Sequence, residues 1–145
     1  MKDTIQRSVL RKPDDPILIV EDTPETQELL IDICEDMELD VHVADNGKEA
    51  LELIEQYSYS LFLVDLMMPV MDGKTFIPLL LKKMPEACII VQSALDSPNT
   101  IIEIMKMGVH DYVLKPIDPD HFTSVMTKAL EHQYLKECEK RLSLN

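Results

Sequence analysis

The chain has 145 residues, a length that suits one domain with a full hydrophobic core, and its 46% hydrophobic and 28% charged residues are ordinary for a globular protein. Acidic residues outnumber basic ones 27 to 14, a formal charge of −13. That balance argues against a domain that grips nucleic acid or an anionic membrane through its own surface.

Residues 1–15 read as a polar, basic N-terminal tail closed by Pro13-Asp14-Asp15-Pro16. Residues 1–12 hold Lys2, Arg7, Arg11 and Lys12 against Asp3, a net of +3, which leaves −16 on the rest. Beyond the tail, short apolar runs alternate with helical patterns. The runs are Ile17-Leu18-Ile19-Val20, Leu61-Phe62-Leu63-Val64, Cys88-Ile89-Ile90-Val91 and Tyr112-Val113-Leu114, and their β-branched character suits strands buried on both faces of a parallel sheet. Leu39-Asp40-Val41-His42-Val43 alternates instead, as a strand nearer an edge does.

Between the strands, Leu30, Ile33, Cys34 and Met37 fall at helical spacing, as do Ile77, Leu80, Leu81 and Met84. Ala50, Leu51 and Ile54 begin another helix, and Ile101, Ile104 and Met105 a fourth, with Ile102 and Met107 off its stripe as a candidate apolar surface patch. A fifth helix starts near Pro119 with Phe122, Met126 and Ala129 as its core face. Thr23-Pro24 and Ser97-Pro98 set Pro at a first helical position, and Gly108 closes the fourth helix. Pro78 is tolerated if the third helix starts near Lys74, which puts it within the first turn. Gly47, Gly73 and Gly108 all fall at element boundaries. Strand and helix alternate five times, and right-handed crossovers then give an open, doubly wound parallel sheet with helices on both faces. Residues 16–132 form this domain. Residues 133–145 are a helical extension in which Leu135, Cys138 and Leu142 keep an apolar spacing, as a linker to an output domain or a short coiled coil would.

Open α/β sheets bind ligands outside the carboxyl ends of their strands. At those ends stand Glu21 and Asp22 after the first strand, Asp65 after the third, Ser93 after the fourth and Lys115 after the fifth. Clustered carboxylates repel unless a cation neutralises them, and an all-oxygen donor set suits Mg²⁺ better than zinc. Asp65 is the candidate nucleophile, with Lys115 offsetting phosphoryl charge and Ser93 donating a hydroxyl.

Ile17-Leu-Ile-Val-Glu21-Asp22, Asn46-Gly47-Lys-Glu-Ala-Leu51, Val64-Asp65-Leu-Met-Met-Pro69-Val-Met-Asp72-Gly73, Val91-Gln-Ser93-Ala94 and Asp111-Tyr112-Val-Leu-Lys115-Pro116 together resemble the receiver domains of two-component response regulators. The resemblance implies the flavodoxin-like receiver fold with strand order 2-1-3-4-5. It further implies that Asp65 accepts a phosphoryl group from a sensor histidine kinase, a phosphotransfer protein or a small phosphodonor. Asp22 and Asp65 would ligate Mg²⁺ with the Met67 backbone carbonyl, and Glu21 would act through water. Ser93 and Lys115 would contact the phosphoryl group, Lys115-Pro116 would be cis, and Tyr112 would turn inward as Ser93 moves. The signalling face would be the fourth helix, fifth strand and fifth helix, offered to an output domain or protein or to a second copy of the chain. The chain would be a stand-alone receiver or the N-terminal part of a longer regulator.

Val109 and Ile104 are bulkier than the alanines usual in receivers, which bears on the seat of the fourth helix. Met67 and Leu95 are apolar residues two positions past Asp65 and Ser93, placed to shield an acyl phosphate from water. A metabolite phosphohydrolase would need a second acid at position 67, and a flavodoxin-like cofactor binder would need a Ser/Thr/Gly-rich loop where Glu21-Asp22 stand. The nine methionines read as packing, and His42, His110, His121 and His132 form no cluster, which argues against a phosphotransfer or metal histidine. Cys34, Cys88 and Cys138 lie far apart, as expected of reduced thiols in a cytoplasmic protein. The first residues lack an apolar signal core and no run nears the ~20 apolar residues of a membrane span.

Overall fold

The computed structural model describes residues 13–144, so most of the basic tail lies outside the described residues. In chain order the elements are β1 (Ile17–Val20), α1 (Pro24–Asp36), β2 (Val41–Ala44), α2 (Gly47–Gln56), β3 (Leu61–Asp65), α3 (Gly73–Lys83), β4 (Ile89–Ser93), α4 (Pro98–Lys106), β5 (Asp111–Leu114) and α5 (Pro119–Leu144). All strand pairs are parallel, in the order β2-β1-β3-β4-β5. This is the doubly wound α/β fold that the alternating pattern predicts.

Strand side chains alternate between faces, and the core divides accordingly. Ile17, Ile19, Leu61, Leu63, Ile90 and Val113 pack under Leu30, Ile33 and Cys34 of α1 and Phe122, Met126 and Ala129 of α5. Leu18, Val20, Phe62, Val64, Ile89 and Val91 face the other way, toward Ala50 of α2, Phe76, Ile77 and Leu80 of α3 and Ile104 of α4. The central strands are thus apolar because both of their faces are covered, and β3 and β4 turn polar only at their ends, at Asp65 and at Gln92-Ser93.

Several local expectations change in the tertiary setting. The second strand runs Val41–Ala44, because Leu39 is drawn into the end of α1: Leu39 N donates to the Cys34 carbonyl at 2.9 Å and Glu38 N to that of Glu35 at 2.9 Å, with Glu38 at φ 62°. This is a Schellman closure built on Glu rather than Gly. The fifth strand is not covered on both faces. It lies at the sheet edge, with Tyr112 half-buried and Leu114 44% exposed. Helix α3 begins at Gly73, so Pro78 falls past its first turn and leaves the Lys74 carbonyl without an intrahelical donor; both residues are exposed, so water can serve that oxygen.

On α4 the apolar surface pair is Ile102 with Met105, not Met107. Met107 packs against the core, while Ile102 and Met105 are 52% and 39% exposed. The two bulky positions of this region, Ile104 and Val109, are both buried. Gly108 follows α4 at φ +103°, a conformation that favours glycine. Helix α5 continues without a break through Leu144, and Leu135 and Leu142 on it are exposed.

The connection from β3 to α3 contains a tight reversal. Met71 N donates to the Pro69 carbonyl at 2.7 Å across Val70, whose φ is 67°. A γ-turn of this hand is strained, and a β-branched side chain adds to the strain. Val70 is 78% exposed, so no packing offsets that cost. Val70→Gly is expected to stabilise the protein by about 1 kcal/mol in urea denaturation, because glycine has no Cβ to oppose a positive φ.

Candidate functional site: an acidic cluster with one ammonium

The site forms where β1, β3, β4 and β5 end. Glu21 continues β1 by one residue, its N–H donating to the Ala44 carbonyl at 3.0 Å, and its side chain is fully buried. Thr23 N donates to Glu21 Oε2 at 3.2 Å, while Gln27 Nε2 donates to the Glu21 carbonyl and, at 2.8 Å, to Asp45 Oδ1. Asp22, the next residue, is half-buried and lines the open cleft above the sheet. Asp65 closes β3 and is 3% exposed; its Oδ1 accepts from Met67 N at 3.1 Å.

Glu21, Asp22 and Asp65 each bring a carboxylate oxygen within 4.8 Å of the others. Lys115 spans two of them, with Nζ 3.0 Å from Glu21 Oε1 and 3.2 Å from Asp65 Oδ2. The electrostatics follow from this geometry. Burial first, and then the adjacent Asp65 carboxylate, push Glu21 up to about 7 even though Lys115 pulls the other way. Burial alone would lower Lys115, but Glu21 and Asp65 outweigh it and hold the ammonium above its ordinary range. The donor set is entirely oxygen, carries excess negative charge and opens on a cleft. These are the features a hard divalent cation requires.

Ser93 ends β4 fully buried, and its Oγ accepts from Leu95 N at 3.1 Å. Tyr112, on β5, donates its hydroxyl to the Leu95 carbonyl at 2.7 Å. Both side chains therefore hold the same backbone unit of the loop between β4 and α4. Lys115 N donates to the Ser93 carbonyl at 2.8 Å, and the Lys115–Pro116 peptide is cis.

The cleft beside Asp22 measures about 520 Å³ and is lined by Met67, Pro69, Asp72, Lys74 and Leu95 among others. Met67 is 58% exposed on its rim. Gly73 sets the seat of α3: a Cβ there would meet the Asp65 carbonyl oxygen at 2.6 Å and Leu66 Cα at 2.8 Å, so only glycine lets α3 start this close to the end of β3. Asp72 caps α3 by accepting from Thr75 N at 2.9 Å, and Asn46 caps α2 through Glu49 N at 2.9 Å.

Glu21, Asp22, Asp65, Met67, Ser93 and Lys115 thus stand at one edge of the sheet, and Tyr112, within β5, reaches that edge through its hydroxyl. The sequence reading missed Lys74 on the cleft and Gln92, which is fully buried beside Asp65; an amide interrupting the run Ile89-Ile90-Val91 was the available signal. It also missed a histidine pair, since the rings of His110 and His132 lie 5.4 Å apart although the two are distant in the chain. Among the described residues, no group of three metal-ligating side chains includes them. His42 instead bonds Tyr59 through Nδ1 at 2.7 Å.

An acidic cluster, a lysine and a hydroxyl on the carboxyl edge of a 2-1-3-4-5 parallel sheet define a receiver-type α/β domain. Residues 17–127 match the model of the response regulator receiver domain. The chain is 29% identical over 123 residues to the transcriptional regulatory protein ZraR of Escherichia coli O157:H7, covering 85% of this chain and 28% of that protein. It is 28% identical over 114 residues to the chemotaxis protein CheY of Listeria monocytogenes, covering 78% of this chain and 96% of that one. Among solved structures, the receiver domain of the Francisella response regulator 1452 superposes with TM-score 0.75 at 32% identity, covering 82% of this chain and 98% of that chain. NtrX from Brucella abortus gives TM-score 0.83 at 25% identity, covering 88% of this chain and 29% of that chain.

This chain belongs to the response regulator receiver domain family of two-component signalling, a family of signalling modules rather than classical enzymes. It spans little more than a quarter of the length of the Escherichia coli ZraR proteins it matches.

Because three carboxylates face one ammonium, removing one charge relieves repulsion in the metal-free protein. Asp22→Asn is expected to raise its stability by about 1 kcal/mol, read as a higher urea midpoint with an unchanged slope.

Proposed function

We propose that this receiver is switched by phosphorylation of Asp65. The observation that carries the reading is the position of Asp65 itself: at the end of β3, between two further carboxylates within 4.8 Å and an ammonium at 3.2 Å, below an open cleft. In the transfer, an Asp65 carboxylate oxygen forms the new P–O bond. The donor's P–N bond, or the P–O bond of a small acyl phosphate, breaks, and its electron pair leaves with the imidazole or carboxylate. The phosphoryl donor is a sensor histidine kinase, a phosphotransfer protein or a small phosphodonor.

The donor set fits Mg²⁺, which Asp22, Asp65 and the Met67 carbonyl would hold directly and Glu21 through water. When bound it supplies positive charge against the phosphoryl oxygens. Lys115 offsets the same charge from the other side, and the buried Glu21 carboxylate keeps its ammonium in place.

Phosphorylation adds roughly 1.5 to 2 negative charges and three acceptor oxygens at Asp65. Ser93 Oγ, now an acceptor for Leu95 N, turns its hydroxyl toward them. Tyr112 is tied to the same Leu95 backbone unit, so movement of that loop and rearrangement of Tyr112 go together. The readout is the face made by α4, β5 and α5, where Ile102, Met105 and Leu114 are exposed. Its partner is an output domain or protein, with a second copy of the chain as a further candidate.

We assign residues 16–132 to the receiver, 1–15 to a basic tail and 133–145 to a helical extension. The acidic composition supports an output other than nucleic-acid binding by this domain. Among the described residues no helix is long and apolar enough to cross a membrane; the location we propose is cytoplasmic, with no membrane partner.

Intact-protein mass after incubation with acetyl phosphate tests the reading. One Mg²⁺-dependent phosphoryl adduct is expected in wild type and none in Asp65→Asn; an adduct that persists in the variant refutes Asp65 as the acceptor. Met67 and Leu95 line the cleft and shield the acyl phosphate from water. Met67→Asn is therefore expected to lose its phosphoryl group several-fold faster than wild type, and equal or slower loss rejects the shield.

A further inference from the structure

Among the described residues four polar side chains are buried, Glu21, Asp65, Gln92 and Ser93, and three of them are partnered. Gln92 is the exception. It is fully buried, and neither its Nε2 nor its Oε1 has a hydrogen-bond partner. A buried amide that loses its water partners without gaining others is unfavourable, and Leu or Met would fit the apolar strand without that cost.

Its placement suggests what the amide is for. Gln92 is the direct register partner of Asp65 on the neighbouring strand. Two residues earlier, the paired Leu63 and Ile90 both pack in the α1 and α5 layer, so Asp65 and Gln92 leave the sheet toward that same layer. Adjacent strands are about 4.8 Å apart, a gap that a glutamine side chain spans. Gln92 also immediately precedes Ser93.

We propose that Gln92 is a positioning residue of the phosphoacceptor site, its carboxamide N–H taking an oxygen of Asp65 once that side chain is phosphorylated. The role rests on the phosphorylation reading above. Before transfer both carboxylate oxygens of Asp65 are engaged, Oδ1 by Met67 N at 3.1 Å and Oδ2 by Lys115 at 3.2 Å. After transfer one oxygen carries phosphorus and the ammonium is drawn toward the phosphoryl oxygens. The remaining acyl oxygen then has room for a donor, and the nearest strand offers an unused one. The unpaired amide thereby disfavours the resting state relative to the phosphorylated state.

The test uses beryllium trifluoride with Mg²⁺, which stands in for the phosphoryl group on Asp65, and compares wild type with Gln92→Met and Gln92→Leu. Both variants are expected to resist urea at least as well as wild type without ligand, yet to bind beryllium trifluoride at least about fivefold more weakly, because only wild type gains the hydrogen bond. A glutamine needed only for folding would lower the urea midpoint on substitution and leave the affinity in place. Affinity within twofold of wild type in either folded variant overturns the role. A wild type that takes up no beryllium trifluoride overturns the phosphorylation reading and this role with it, whereas wild-type binding matched by both variants removes this role alone.

Discussion

The ammonium of Lys115 is the contact around which the site is arranged. It meets Glu21 Oε1 at 3.0 Å and Asp65 Oδ2 at 3.2 Å, joining the ends of β1, β3 and β5 across a buried acidic pair. Without it two carboxylates would stand in a low-dielectric interior with no counter-charge, a strongly destabilising state. With it the site is stable but still overcharged, since Asp22 adds a third carboxylate within 4.8 Å. That surplus is what makes the edge receptive to a cation, while burial first and Asp65 beside it push Glu21 up to about 7.

The sheet gives this contact its geometry. The strands all end at one edge because every connection is a helical crossover between parallel strands. Two apolar layers clamp the strands, so the terminal residues have little freedom to separate. Gly73 brings α3 against the end of β3, where any larger residue would strike the Asp65 carbonyl. Gly47 is similarly tight, as a Cβ would come within 2.9 Å of Met71 Cγ and Phe76 Cβ. The loop that carries Met67 and Met71 is thereby tied to α2 as well as α3, and it holds Val70 in a strained reversal. On the other side of the cleft, Ser93 and Tyr112 share the Leu95 backbone, so a force on either reaches the other.

Much of this was legible along the chain. Unbroken β-branched runs identified the covered strands, Pro after Thr23 and Ser97 marked the starts of α1 and α4, and the polar residues following each run pointed to the carboxyl edge. What stayed hidden depended on neighbours distant in sequence. Tyr112-Val113-Leu114 is as apolar as the central strands, and only its edge position explains the exposure of Leu114. Met105 and Met107 are chemically alike, and the rotation of α4 on the sheet decided which one packs inward. Leu39 looked like the start of a strand until the closure of α1 claimed it. His110 and His132 meet because α5 folds back along β5.

The sequence by itself determined the class of fold, the edge of the sheet that carries the chemistry and the residue types available there. Those follow from local periodicity and from which residues end each strand. Only the tertiary structure decided which charges touch: that one ammonium spans Glu21 and Asp65 while Asp22 faces the cleft, and that Gln92 lies buried, unpaired and in register with Asp65. The physical reason is that strand order and register set distances of a few ångströms between residues dozens of positions apart. Charge pairing and amide satisfaction depend on those distances far more steeply than hydrophobic burial does.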